Sequence, residues 1–246
     1  MIHFLESTDS TNRVAKEMAA AGAPAGTVVV SRSQSAGRGQ YDRSFNSPPG
    51  GLYFSMIVEP ALPVAKIPQV TLATGVACRH VLHEKFHISP VLKWPNDVFV
   101  STKKIAGILC ECLNAPQTGS GNVKVIIGVG LNVNSEMEQY DSGLRPYVTT
   151  LRNEVGYQID LQELLHTLLQ AISRYVGDLT KDHGAVLAEW QRYDMLLANT
   201  LKYSTGSSSL EGIGCGITPE GYYRLCDSSG QEHVVVGGQL RQVKRH

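Results

Sequence analysis

Four short segments concentrate residues able to do chemistry. The first is Gln34-Ser35-Ala36-Gly37-Arg38-Gly39-Gln40-Tyr41-Asp42-Arg43, in which an arginine stands between two glycines. Glycines let a backbone approach an oxyanion closely, and a guanidinium forks onto two of its oxygens, so the pattern suits phosphate binding. By itself it equally suits a flexible surface loop. It is not a Walker loop, because no Gly-Lys-Ser/Thr follows. It is not a dinucleotide fingerprint either, because the third glycine and the following helix are missing.

The second segment, Lys93-Trp94-Pro95-Asn96-Asp97, ends a strand in a proline turn and so presents lysine, asparagine and aspartate at one sheet edge. A structural Asn-Asp turn with a half-buried tryptophan is the alternative. The third opens the apolar run Ile105–Leu109 with Lys103 and Lys104. Adjacent strand residues point to opposite faces, so only one of the two lysines can face a site on the sheet. Two solvated lysines at a strand mouth are the plain alternative. The fourth, Gly128-Val129-Gly130-Leu131-Asn132, spends two glycines inside a buried strand. That marks close approach of a ligand or another backbone, or a bulge.

The elements that must hold these segments follow from pattern. Strands are expected at Ile2–Leu5, Val28–Ser31 and Leu52–Glu59, with a helix over Arg13–Ala21 after the polar cluster Ser7–Asn12. The segment Arg32–Gly51 reads as a long loop, and such loops inside compact domains are generally functional or mobile. A helix over Ile67–Phe86 carries Pro68 in its first turn. Then Val91–Trp94, Val98–Val100, Lys104–Leu113 and Val123–Asn134 succeed one another without helices between them, which predicts an antiparallel meander. Leucines and isoleucines stepping by three or four from Leu161 to Leu179 predict a helix packed on the sheet, and a second helix spans about Gly184–Met195. From Asn199 turn signals recur roughly every ten residues, as in a small β barrel.

Composition narrows the class. The 246 residues are 42% hydrophobic and 18% charged, enough apolar material for a real core. Lysine plus arginine and aspartate plus glutamate number 22 each, so no global basic field exists to hold a nucleic-acid backbone. Apolar stretches fall short of the roughly 20 residues that span a bilayer. The start lacks a basic region followed by an apolar one, which predicts a soluble, cytoplasmic protein. Five cysteines without a C-x-x-C pair suit a reducing compartment, and Cys110-x-Cys112 reads as two buried small hydrophobes.

Taken in order, these segments resemble the biotin protein ligase family, bacterial type. Ser10-Thr11-Asn12 matches its first biotin-contact motif, Gln34 to Arg38 its Gln-x-Ala-Gly-Arg-Gly loop, and Lys93–Asp97 its most diagnostic pentapeptide. Lys104–Ile108 matches the strand with the active-site lysine, and Gly128–Asn132 its Gly-x-Gly-x-Asn. The resemblance covers Phe4 to Val243. It implies an α+β fold with a mixed, largely antiparallel sheet and packed helices, as in class II aminoacyl-tRNA synthetases and lipoate ligases. That catalytic domain would span residues 1–198, and a small SH3-like β-barrel domain would follow over 199–246.

The implied activity is an ATP-dependent ligase that makes biotinyl-5′-AMP and pyrophosphate, then passes biotin to a lysine of a biotin carboxyl carrier domain. ATP and biotin are substrates and Mg²⁺ assists, with no residue assigned to the metal. Lys104, Arg38 and Lys93 would be catalytic. Ser10, Thr11, Asn12, Gln34, Arg38, Gly39, Gln40 and Lys104 would bind biotin. Arg38, Arg43, Phe45, Lys93, Asn96, Asp97 and Asn132 would bind ATP or the adenylate.

Three departures stand out. Gln40 replaces a second arginine, Phe45 stands where the family often has tryptophan, and no DNA-binding domain precedes Phe4. The expected partners therefore exclude DNA and membranes, and an edge strand near Gly37–Arg43 is available for pairing two chains. A noncatalytic biotin-binding module and a lipoate ligase are the competing readings. Arg38 with Lys104 argues against the first, and the Lys93–Asp97 pentapeptide against the second.

Overall fold

Val28, Val29 and Val30 are all buried because β2 (Val28–Ser31) is covered on both faces. Side chains alternate across a strand, so Val28 and Val30 enter one hydrophobic core and Val29 the other. The structure, a computed structural model, describes residues 1–41, 43–113, 123–205 and 208–243. Asp42 of the glycine–arginine loop and Gly206-Ser207, one of the turn signals after Asn199, lie outside the described residues.

β2 belongs to a seven-stranded sheet in the order β1-β2-β3-β7-β6-β5-β4. The strands are β1 (Ile2–Leu5), β3 (Leu52–Val58), β4 (Pro90–Lys93), β5 (Asp97–Val100), β6 (Lys103–Leu113) and β7 (Lys124–Leu131). From β4 to β7 the chain runs as the expected antiparallel meander. β1 instead lies parallel to β2, because the helix α1 (Thr11–Ala20) crosses one face between them. That helix buries Ala15 and Ala19 against Val29, Ile57 and Ile126.

The opposite face is covered by α2 (Pro68–Phe86) and α4 (Leu161–Arg192). Pro68 sits at the start of α2, where its missing N–H costs nothing. α2 ends at His87, whose φ of 55° is left-handed. The two helices expected between Leu161 and Met195 form one element kinked at Asp182 (φ −147°, ψ 80°). Asp182 Oδ1 accepts the Ala185 N–H at 3.0 Å and so caps the second stretch. That stretch stops at Arg192 because Tyr193–Met195 joins the edge of β4. Leu92 donates to the Tyr193 carbonyl at 2.8 Å, and Met195 donates to that of Leu92 at 2.9 Å. A short α3 (Leu151–Val155), unannounced by the hydrophobic pattern, is capped by Thr150.

The C-terminal strands β8 (Thr200–Thr205), β9 (Ser208–Ile217), β10 (Tyr223–Cys226), β11 (Glu232–Val235) and β12 (Gln239–Gln242) form an antiparallel five-stranded sheet in the order β11-β10-β9-β8-β12. The fold is thus α+β with a second, small β unit. One expectation fails: Cys110 is only half-buried, near Thr71, and Cys112 is exposed. Both side chains line an open cleft beside Thr71 and Leu72 of α2 instead of packing beneath the helix. No helix among the described residues is long and apolar enough to cross a membrane.

Candidate active site

The start of α1 and the long loop meet through Gln34. Its Oε1 accepts the Thr11 backbone N–H at 2.8 Å and lies 3.2 Å from the Thr11 hydroxyl. Helix starts leave N–H groups without intrahelical partners. Ser10, at the N-cap position, makes no side-chain cap, and Gln34 from 23 residues away supplies an acceptor instead. The Gln34 amide then donates to Ser47 Oγ at 2.9 Å, and Ser47 donates to the Phe45 carbonyl at 3.0 Å.

Asn12 is held from three sides. Ser55 donates to its Oδ1 at 2.6 Å, and its Nδ2 donates to the Leu109 carbonyl at 3.2 Å and to Glu111 Oε2 at 2.8 Å. Lys16 completes the group by pairing with Glu111. A Cβ at Gly128 would lie 2.0 Å from Asn12 Oδ1, so the glycine makes room for this amide. The close approach that the glycines announce is therefore made by the protein's own side chains. At Gly130 the intruder is the Phe45 ring, 2.5 Å from where a Cβ would stand, and at its cross-strand partner Gly107 Lys104 Nζ and the Phe45 ring share that place at 3.0 and 3.1 Å.

Ser10, Thr11, Asn12, Gln34, Arg38, Gly39, Phe45, Asn96 and Lys104 converge on an inner recess of about 40 Å³. Ser10, Thr11 and Asn12 are buried, whereas Arg38 is exposed at the rim. An outer recess of about 150 Å³ shares Gly39, Phe45, Asn96 and Lys104 and adds Gln40, Arg43, Lys93 and Asp97. Phe45 stands between the two. Lys104 Nζ is 2.6 Å from Asp97 Oδ1 and 5.5 Å from the Phe45 ring centre. Lys103 is exposed, as strand alternation requires of the other lysine. Asn96 fixes the turn to β6 by donating to the Ile108 carbonyl at 2.7 Å.

Electrostatically the outer recess is cationic. Burial, reinforced by Lys104, Arg241 and Arg43, lowers the Lys93 ammonium below its ordinary range, while Asp97 pulls it back up. Like charges gathered this way repel until an anion joins them.

Asn132 lines neither recess. It is buried, donates to the Thr149 carbonyl at 3.1 Å and leaves its Oδ1 without a partner among the described residues. Residues that sequence reasoning missed include Ser47, Ser55 and Arg241. Only strand pairing and chain crossing bring them in, although a serine inside the apolar run Leu52–Val58 was a usable signal.

A family profile described as Biotin/lipoate A/B protein ligase family matches residues 4–132. The bifunctional ligase/repressor BirA of Bacillus subtilis is 34% identical over 228 residues, covering 92% of this chain and 69% of that protein. A biotin--[acetyl-CoA-carboxylase] ligase of Paracoccus denitrificans is 29% identical over 242 residues, 94% of this chain and 96% of the relative. Among solved structures, the biotin protein ligase from Aquifex aeolicus in complex with biotin and ATP superposes with a TM-score of 0.84 at 27% identity. The match covers 98% of this chain and 99% of that one.

Proposed function

The chain belongs to the biotin/lipoate A/B protein ligase family, and we propose that it is an ATP-dependent biotin protein ligase that acts through biotinyl-5′-AMP. The observation that carries this reading is Lys104, the one cation among the described residues that lines both recesses. A carboxylate and a triphosphate repel each other, so a cation reaching both must hold them together.

In the proposed first step a biotin carboxylate oxygen attacks the α-phosphorus of ATP, and pyrophosphate leaves with the electron pair of the broken P–O bond. Biotin occupies the inner recess, with Ser10, Thr11, Asn12 and Gln34 around its ureido end and Gly39 and Gln40 in the covering loop. Phe45 must move out of its Gly107–Gly130 slot for the two substrates to meet. Lys104 exchanges Asp97 for the reacting carboxylate, and Arg38, Arg43 and Lys93 hold phosphate oxygens.

Mg²⁺ fits the donors present. No group of three or more His, Cys, Asp or Glu among the described residues could cage a metal. Asp97 offers one carboxylate, and Mg²⁺ is normally held by one or two carboxylates together with substrate phosphates. When bound it would neutralise phosphate charge.

In the second step the amine of an acceptor lysine attacks the acyl carbon, AMP leaves, and an amide forms with loss of a proton. A cleft of about 900 Å³ beside Arg38 and Leu109 gives that lysine a third approach. A biotin carboxyl carrier domain is the proposed acceptor, in the cytoplasm, without DNA or membrane partners. Residues 1–198 are the proposed catalytic unit and 199–246 the SH3-like one.

The test is incubation with ATP, Mg²⁺ and either biotin or lipoate, followed by measurement of pyrophosphate. Release with biotin and not lipoate is expected. Release with lipoate alone would assign the chain to the other branch of the family, and release with neither would remove the enzyme reading.

A further inference from the structure

Lys93 sits on a strand of four residues at the margin of the large sheet, among cations that repel it. Something must hold that strand in place. Its outer edge is hydrogen-bonded to Tyr193–Met195, and the middle residue of that segment, Asp194, sends its carboxylate across to the small sheet. Tyr223 on β10 donates its hydroxyl to Asp194 Oδ2 at 2.7 Å, and Asp194 Oδ1 accepts the Leu196 N–H at 2.9 Å.

The Tyr223 ring, fully buried, packs against Trp94 with ring centres 5.9 Å apart. Trp94 in turn donates its indole N–H to the Gly221 carbonyl at 3.0 Å. The ties close a ring that runs Asp194, Leu92, Lys93, Trp94, Gly221, Tyr223 and back to Asp194. Burial raises the Asp194 carboxyl to about 6 and the Tyr223 phenol above its usual range. At neutral pH, then, the phenol keeps its proton and the carboxylate accepts the hydrogen bond.

We infer that Asp194 and Tyr223 are a positioning pair for the nucleotide side of the site: their hydrogen bond lets the C-terminal sheet fix the Lys93–Asp97 turn. This rests on the ligase reading above. The selectivity follows from topology. The ring includes β4 and its turn, whereas the hydrogen bonds of Thr11, Gln34, Ser47 and Ser55 run among α1, the long loop and β3 and include no residue of the ring. Loosening the ring lets Lys93 and its neighbours drift apart under their own repulsion, and the anion that should gather them binds less well.

The experiment measures KM for ATP and for biotin in biotin-dependent pyrophosphate exchange by the full chain. The Tyr223→Phe change keeps the ring and removes the hydroxyl. We expect KM for ATP to rise about fivefold to tenfold while KM for biotin stays within about twofold, a part of the worth of one hydrogen bond to a charged group, because the pair reaches ATP only through the turn it positions. Asp194→Leu should act alike, and the double variant should be no worse than the worse single, because both remove the same bond. Asp194→Asn, whose amide oxygen still accepts, should keep KM for ATP within about threefold of the unaltered chain. It also serves if either stronger variant fails to fold. Equal movement of both KM values, no movement of either, multiplying effects in the double variant, or an Asp194→Asn change as large as that of Tyr223→Phe would each overturn the assignment. If the unaltered chain shows no exchange with biotin, it is the ligase reading that fails, independently of the ring.

Discussion

On the inner side of the site, Thr11, Asn12, Gln34, Ser47 and Ser55 already satisfy one another's hydrogen bonds, while on the outer side Lys93, Lys104, Arg43 and Arg241 face, among the described residues, a single carboxylate, Asp97. The difference matches the chemistry of the proposed ligands. A neutral ureido ring gains from donors and acceptors fixed in advance, since each mispaired buried group costs about 1–3 kcal/mol. A polyanion gains from unneutralised cations, whose repulsion it relieves on arrival. The inner side thus has its side-chain hydrogen bonds in place before a ligand arrives, and the outer side is completed by its ligand.

The strongest way to break this contrast is to overfill the inner side. Gly128→Ala drives a methyl to 2.0 Å from Asn12 Oδ1, and overpacking of this kind costs about 1–3 kcal/mol. Titration calorimetry should show biotin binding about 10- to 100-fold weaker with ATP binding nearly unchanged. Unchanged biotin affinity would mean that the Asn12 network has no part in the pocket.

Salt sharpens the contrast without a mutation. Raising ionic strength from about 0.05 to about 0.5 M shortens the screening length severalfold. ATP should then bind about tenfold more weakly and biotin within about twofold of its low-salt affinity. Equal salt dependence would erase the distinction between the two sides.

Gln40 offers a smaller and finer test. It lies in the loop that bounds the outer recess, where the resembling family carries an arginine. A charge-assisted hydrogen bond is worth roughly 1 kcal/mol more than a neutral one. Gln40→Arg should therefore slow release of preformed biotinyl-5′-AMP about fivefold, read by stopped-flow fluorescence with Trp94 as reporter. Release as fast as from the unaltered chain would show that Gln40 does not face the ligand.

Much of the site was legible because its residues cluster in four contiguous segments, each with its own local grammar. The meander was legible too, since no helix-forming run separates Val91 from Asn134. What escaped depends on distant pairing. Ser55 reaches Asn12 across 43 residues, Arg241 comes in from the other sheet, and Tyr223 meets Asp194 across 29. Gly128 and Gly130 announced a close approach but not its source, because nothing in a strand names the side chain that will cross it. Cys112 looked buried because its two-residue spacing from Cys110 gives the face but not how far α2 extends over that face.

Lys104 serves both recesses while Lys103 serves neither, and biotin-dependent ATP–pyrophosphate exchange tests this directly. Lys104→Ala should lower the exchange rate by about 10² or more, in the range of a lost oxyanion stabiliser, and Lys103→Ala should leave it within about twofold. Equal losses in the two variants, or full exchange in Lys104→Ala, would contradict the account.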